Sequence, residues 1–246
     1  MSNSYQQNFL RYEFKYLVRD MDLPALEESL SHFMTLDPFA EKMPDKNYFI
    51  RSLYFDTDNY SCFFEKVTGV KYRKKFRIRT YSRKFEKDVP FFLELKGRDN
   101  YFVFKERQLI TSEDADRFCM LHDLPNSINS DGDNHTYEKF LLDVFKKQIK
   151  PKVIIDYTRK PFVSKYDYEF RVTLDSNVTA IESSHINQTI KRANIEVKPG
   201  YTIVEIKFRR SVPYWFTDIV RRFQLKRLSI SKYCEGVEAL GLCSDD

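Results

Sequence analysis

Glycine is scarce in this sequence, with six among 246 residues. None falls into a P-loop or a G-x-G-x-x-G spacing, which excludes the common glycine-rich phosphate cradles. Cysteine is as sparse. Cys62, Cys119, Cys234 and Cys243 are scattered, with no C-x-x-C, and His32, His122, His135 and His185 are not spaced with them. A structural zinc site is therefore not expected, and reduced thiols in a cytoplasmic protein are the simplest reading. Long apolar runs are missing too: none approaches the roughly 18 residues a membrane helix needs, and no signal-peptide pattern is visible. No Ser/His/Asp or Cys/His constellation offers a protein nucleophile.

What is present suits a globular chain with a real core. Hydrophobic residues make up 42% and charged residues 31%, and no linker divides residues 1–246, which are read as a single domain. The 22 Phe and 16 Tyr favour strands. Strands are expected at 9–18, 48–55, 72–81, 90–96, 101–110, 152–158, 168–174 and 201–209, with shorter ones near 178–181 and 194–197. Helices are expected at 24–33, after 56–58, and at 112–121, 137–149, 213–223 and 231–240, where Ser231 caps and Gly241 terminates. Residues 37–47 and 122–136 read as loops. The net charge of +5 permits an anionic partner without demanding one.

The charges themselves are more informative than their sum. Side chains alternate faces along a strand, so Arg77 and Arg79 share a face, as do Glu94 and Lys96, and Lys105 and Arg107. The same holds for Glu13 with Lys15, Glu169 with Arg171, and Glu205 with Lys207. The opposite faces carry Phe76, Ile78, Leu93 and Leu95. Two architectures fit this pattern. In one, the apolar faces meet in a sandwich and the charged faces are solvent surface. In the other, the sheet closes into a barrel with the charged face inward and helices over the apolar outside. Arginine-rich strand faces favour the second, because the guanidinium fork matches phosphate oxygens, and acids set among the bases suit a hard cation. Nucleic acid is not an expected partner, since the aromatics alternate away from the charges and bases could not stack on them.

The segments Arg11-Tyr12-Glu13-Phe14-Lys15-Tyr16, Ser52-Leu53-Tyr54-Phe55-Asp56-Thr57, Lys74-Lys75-Phe76-Arg77-Ile78-Arg79 and Leu93-Glu94-Leu95-Lys96 give the chain a familiar look. They are followed by Lys105-Glu106-Arg107, Asp156-Tyr157-Thr158-Arg159, Phe170-Arg171-Val172-Thr173-Leu174-Asp175, Val204-Glu205-Ile206-Lys207-Phe208 and Ser229-Ile230-Ser231-Lys232-Tyr233. In this order they resemble the VTC (vacuolar transporter chaperone) domain, the polyphosphate polymerase branch of the CYTH-like triphosphate tunnel metalloenzymes. The resemblance implies an α+β fold: a closed antiparallel eight-stranded β-barrel, the triphosphate tunnel, with a charged interior and helices packed outside.

It also implies a function. ATP or another triphosphate would lie in the tunnel with Mn²⁺ or Mg²⁺, and the γ-phosphoryl group would pass to a growing polyphosphate chain. Arg77, Arg79, Lys96, Arg159 and Arg171 would serve catalysis. Lys15, Lys105, Arg107, Tyr157, Lys207, Ser231 and Lys232 would bind substrate, and Glu205, Glu94 and Glu13 would hold metal. Blander roles stand beside these: Glu13 as an ion-pair partner of Lys15 or Arg79, Glu94 as an internal counter-ion, Asp175 as a holder of Arg171, Tyr157 as packing, and Lys232 as a surface lysine. The superfamily's hydrolases and cyclases open with E-x-E-x-K, and Arg11 replaces the first acid here. A simple triphosphatase is thereby disfavoured but stays an alternative, as does a non-catalytic polyphosphate-binding module. Coupling to a separate membrane-protein partner is a further expectation.

Overall fold

Alternating strand faces and short turns give antiparallel neighbours, and one sheet collects nearly all of them. The structure is a computed structural model that describes residues 12–85, 89–100, 102–121, 124, 134–187 and 194–243. The strands are β1 (Tyr12–Arg19), β2 (Met34–Leu36), β3 (Tyr48–Asp56), β4 (Tyr72–Thr80), β5 (Phe91–Asp99), β6 (Phe102–Ile110), β7 (Lys150–Ser164), β8 (Arg171–Glu182), β9 (Ile195–Glu196), β10 (Tyr201–Phe208) and β11 (Arg227–Leu228). The helices are α1 (Leu23–Ser31), α2 (Pro38–Glu41), α3 (Ser61–Val67), α4 (Ser112–Met120), α5 (His135–Lys147), α6 (Tyr214–Arg222) and α7 (Lys232–Ala239). Hydrogen bonds order the sheet β11-β1-β10-β8-β7-β3-β4-β5-β6, with β2 beside β7 and β9 beside β8.

The expected closed eight-stranded barrel is corrected on both counts: the sheet has 11 strands, and among the described residues no backbone pairing joins its two ends. The free edge of β1 is already taken, because Lys15 and Tyr16 pair with Leu228 and Arg227 of β11. The ends nevertheless approach. Lys96 of β5 lies 3.4 Å from Glu13 of β1, although β10, β8, β7, β3 and β4 separate those strands along the sheet. The sheet therefore curls into a trough whose seam is bridged by side chains. Register shifts at Tyr54/Phe55 and Asp156/Thr158 supply part of the curl, since bulges sharpen local twist.

The convex face carries the apolar side chains. Phe76, Ile78, Leu93 and Leu95 pack under Phe118 of α4 and Tyr137 and Phe140 of α5. Val172, Leu174, Val204 and Ile206 pack under Leu26 and Leu30 of α1 and Phe216 and Ile219 of α6. Each fully buried Leu, Ile or Phe contributes about 1.5–3 kcal/mol, so these layers fix which face of the sheet is left for charge. A capping box at Thr111 and Asp114 starts α4.

Some boundaries differ from the sequence expectation. β7 extends to Ser164, and β8 begins at Arg171 and runs unbroken through the segment expected as a separate short strand. Residues 168–170 belong to a turn, where Ser164 N donates to Phe170 O at 3.1 Å and Asp167 Oδ1 accepts from Glu169 N at 2.9 Å. α2 is one short turn inside the expected 37–47 loop. Arg11 and most of the 122–136 loop lie outside the described residues.

One helix sits on the concave face. α7 packs Tyr233, Cys234 and Val237 against Ile155, Tyr157, Val178 and Ile203. Gly236 allows the approach: a Cβ there would stand 2.4 Å from Ile155 Cδ1 and 3.1 Å from Ala180 Cβ. Asp56 anchors the same helix. Its Oδ1 accepts from Thr57 N and Cys62 N, both at 2.8 Å. Its Oδ2 accepts from Phe63 N at 3.1 Å and from the Tyr233 hydroxyl at 2.5 Å. Gly236→Ala is accordingly expected to destabilise the protein by about 1–3 kcal/mol through overpacking, despite the better helix propensity of Ala. Adding Ile155→Val, which removes the crowding Cδ1, should restore part of the loss in thermal or urea unfolding. Full additivity of the two changes would contradict this account.

Candidate functional site

Cations of like sign crowd the concave face, and each is held by an acid placed among them. Glu94 is the clearest case. It is completely buried, and four bases surround it: Arg77 at 2.6 Å, Lys105 at 2.7 Å, Arg107 at 3.3 Å and Arg79 at 3.7 Å. The strand register explains the convergence, since Glu94 stands opposite Arg77 on β4 and opposite Arg107 on β6. Burial alone would raise the Glu94 carboxyl, but Arg77, Arg79 and Lys105 hold it well below the usual carboxylate range. The cluster is tied outward by aromatics: Arg107 lies 3.6 Å over the Phe92 ring and donates to the Tyr81 hydroxyl at 2.9 Å.

A second cluster gathers where β1 meets β10. Lys15 Nζ lies 3.1 Å from Glu13 and 3.7 Å from Glu205, and donates to the Ile230 carbonyl at 3.0 Å. Lys207 holds the other oxygen of Glu205 at 2.8 Å. Burial and the Glu205 charge push the Glu13 carboxyl up, yet Lys96, Lys15 and Lys207 bring it down to about 2. Glu205 likewise stays far below the ordinary range against its burial, through Lys207 and Lys15. Lys96, 44% exposed at its side chain, still lies within the concavity, and desolvation pulls its amine down to about 8 against the opposing pull of Glu13. Lys105 falls to about 8 for the same first reason, with Glu94 opposing.

The third cluster sits at the start of α7. Arg159 forks onto Asp175 with bonds of 2.7 and 2.8 Å, and Lys232 reaches the same carboxylate at 2.5 Å. Burial would raise Asp175, and Arg159 and Lys232 lower it. Lys232 is 8% exposed and stands 4.9 Å over the Tyr157 ring, so it is no surface lysine. Ser231 caps α7 by accepting from Cys234 N at 3.5 Å. The Tyr157 hydroxyl accepts from Arg79 Nη2 at 3.3 Å, which links this cluster to the first.

The concave face thus brings together nearly every residue singled out in the sequence, in three connected groups. Arg171 is the outlier: it stands opposite Lys207 in register but is exposed. Asp175 holds Arg159 where Arg171 was one expected partner, and Glu13 pairs with Lys15 and Lys96 rather than Arg79. Tyr54 was not among the expected site residues, although its place two residues after Ser52 puts it on the same face of β3. A cleft of about 400 Å³ lined by His32, Phe33, Trp215 and Arg222 lies in the outer layer and touches none of these groups.

The three expected metal acids do not form one ligand set. Among the described residues no three His, Cys, Asp or Glu side chains gather, and Glu94 is enclosed by a separate set of bases. Glu13 and Glu205 do adjoin, both meeting Lys15. A magnesium-type ion takes one or two carboxylates and completes its shell with phosphate oxygens and water, so this pair fits such an ion and Glu94 does not. Among the described residues no helix is long and apolar enough to cross a membrane.

The VTC domain family model matches residues 10–241, nearly the whole chain. No curated protein matches it. Among solved structures, a Bacillus halodurans protein described as a candidate adenylate cyclase superposes with a TM-score of 0.53 at 13% identity, covering 91% of this chain and 93% of that one. At that identity the likeness is one of fold. The Mimivirus capping enzyme triphosphatase aligns over 89% of this chain and 90% of its own at 8% identity, and its TM-score of 0.32 is too low to carry an argument.

The depressed acids make a measurable prediction. A carboxyl whose folded pKa lies below its unfolded value stabilises fully above the unfolded value, here the ordinary 4.5 of glutamate, and loses that contribution as pH falls below it. Stability should therefore be level from about pH 7 to about pH 5 and then decline with acidification. Glu94→Gln keeps the shape and removes the charge, leaving cations without their counter-ion, at a cost of about 3 kcal/mol near neutrality. That deficit should shrink as the pH falls below about 4.5, because the unfolded chain then takes up a proton that the native carboxyl resists. Chemical unfolding at low salt across this range measures it, and a deficit independent of pH would contradict the counter-ion role.

Proposed function

This chain belongs to the VTC domain family, and we propose that it is a metal-dependent polyphosphate polymerase that transfers the γ-phosphoryl group of ATP to the end of a polyphosphate chain. The observation that carries the proposal is the convergence of Lys15, Arg77, Arg79, Lys96, Lys105, Arg159, Lys207 and Lys232 on one concave face, with their counter-charges supplied by buried acids. A row of guanidinium and ammonium groups of this kind suits a repeating phosphate anion better than a compact one.

In this reading the phosphates of ATP compete with Glu94 for Arg77, Arg79, Lys105 and Arg107. The guanidinium groups bind and orient the triphosphate, and they neutralise charge on the equatorial oxygens during transfer. A terminal polyphosphate oxygen forms the new bond to the γ-phosphorus as the bond to the β,γ-bridging oxygen breaks, and ADP leaves. No protein nucleophile is needed, and alignment of the two chains supplies much of the acceleration. Glu205 and Glu13 would hold Mn²⁺ or Mg²⁺, which as a Lewis acid neutralises phosphate charge. Each lysine that turns to phosphate leaves a carboxylate of this pair more available. Lys232 and the Ser231 end of α7 close the floor beneath the bound anion, and Tyr157 lies against it.

Incubation of the full chain with ATP and Mn²⁺ is expected to yield long polyphosphate on a gel together with ADP. Glu205→Ala should retain tripolyphosphate binding while turnover falls by about 100-fold or more, the scale of losing electrostatic support for the transition state. Release of orthophosphate alone would replace the polymerase with a triphosphatase. Binding without turnover in the unaltered chain would leave a polyphosphate-binding module.

A further inference from the structure

Tyr54 occupies the middle of the concave face without having a part in the scheme above. It is 9% exposed, and its ring packs 5.0 Å from that of Tyr233. Its hydroxyl oxygen accepts from Arg77 Nη1 at 2.8 Å, and the Arg77 guanidinium stands 5.6 Å from its ring centroid. Arg79 of the same strand and Lys232 of α7 also bear on it electrostatically, and it bears on Lys15 of β1. The groups that bear most on this phenol from β1, β4 and α7 are thus cations, each paired in turn with an acid: Arg77 and Arg79 with Glu94 of β5, Lys15 with Glu13 and Glu205, and Lys232 with Asp175. The titratable ring of Tyr233 directs its own proton to Asp56.

A phenol both accepts and donates. The accepting half of Tyr54 is used by Arg77, and among the described residues no acceptor receives its proton. A buried donor without an acceptor is unfavourable, and four surrounding cations make an anionic oxygen the natural acceptor. Tyr157 is held in the same way, by Arg79 two residues further along β4. Two phenols gripped by alternate arginines of one strand therefore flank the space between them.

We propose that Tyr54 is a substrate-binding residue whose hydroxyl, held by Arg77, donates its hydrogen bond to a phosphate oxygen bound among Arg77, Arg79, Lys15 and Lys232. The inference rests on the phosphate-binding reading of this face and adds a neutral donor to a set of cations. Its protonation follows from the same geometry. Burial alone would raise the phenol, but Arg77, Arg79 and Lys232 bring it down to about 8. A bound phosphate needs the proton and opposes phenolate with its own charge. Binding near that pH therefore draws a proton onto Tyr54.

The test uses the full chain, with inorganic tripolyphosphate as the probe. Calorimetric titration near pH 8 in two buffers of different protonation enthalpy gives both affinity and proton uptake. The unaltered protein is expected to bind and to take up protons. Tyr54→Phe, which keeps the ring against Tyr233, should bind about 10-fold or more weakly and take up measurably fewer protons, a change that a merely structural ring would not produce. Equal affinity and equal uptake in Tyr54→Phe would overturn the inference while leaving the phosphate-binding face intact. Failure of the unaltered protein to bind tripolyphosphate would overturn the reading beneath it as well. If Tyr54→Phe does not fold, Tyr54→3-fluorotyrosine keeps shape and donor but has a more acidic phenol. The pH range of proton uptake should then move downward, and an unchanged range would overturn the inference.

Discussion

Placing acids inside a crowd of bases is the constraint on which the rest of this molecule depends. Like charges on a concave, partly desolvated surface repel far more strongly than on an open one. Without Glu94, Glu13, Glu205 and Asp175, the cations of β1, β4, β5, β7 and α7 could not occupy one face. The pairings are spread so that each acid serves two or more bases: Glu94 serves four, Glu13 and Glu205 share Lys15, and Asp175 joins Arg159 to Lys232. Buried pairs of this kind are weak contributors to net stability, because desolvation offsets attraction. Their value lies in arrangement: they keep long side chains ordered and charged on one face, where, in the proposed reading, an incoming anion would exchange partners with them.

The apolar framework is subordinate to that arrangement. α1, α4, α5 and α6 cover the convex face and leave the clustered charges of β1, β4, β5 and β10 to the concave one, while Lys74, Glu106 and Lys160 pair with Asp143, Lys139 and Glu27 of the covering helices. α7 then takes part of the concave face for itself, and the Asp56 carboxylate fixes it by binding the Tyr233 hydroxyl while gathering the first backbone N–H groups of α3. The position of Lys232 and Ser231 is thus set by an acid on β3, through a ring packed on β7 and β8. A change at Asp56 would be felt at Asp175 through the path of α7.

Strand faces were legible in the sequence because they depend on period-2 alternation alone. Arg77, Arg79 and Glu94 could be assigned to one surface before any fold was known, and so could the helices that cover the other. The sequence also carried the family resemblance, to which the 10–241 match corresponds. Less was legible wherever position depends on pairing. β11 is two residues long and has no pattern of its own, yet by taking the edge of β1 it leaves the sheet open. Glu94 and Glu205 look alike in sequence, each two residues before a lysine, and only register separates them. Glu94 faces arginines on both sides, whereas Glu205 faces Lys15 and Thr173. Tyr54 escaped notice because a tyrosine in an aromatic strand resembles packing, and its meaning comes from Arg77 across the ladder.

The open seam changes how the wall of the site is held. A closed barrel secures every strand with backbone bonds on both edges, so parting any two breaks a ladder. Here β5 meets β1 through side chains, Lys96 and Glu13 at 3.4 Å with 44% and 23% exposure. An ion pair that exposed contributes about 0–1 kcal/mol and is weakened by salt, whereas separating β4 from β5 would sacrifice a nine-residue register. The two sides of the trough are therefore unequal in strength, and the weak side carries Lys96, whose amine is also the more readily neutralised. An anion that draws Lys96 toward itself loosens the one described ion pair across the seam while filling the face that seam encloses. If the face takes an anion as proposed, its occupancy and the closure of the wall would be set against each other through Lys96.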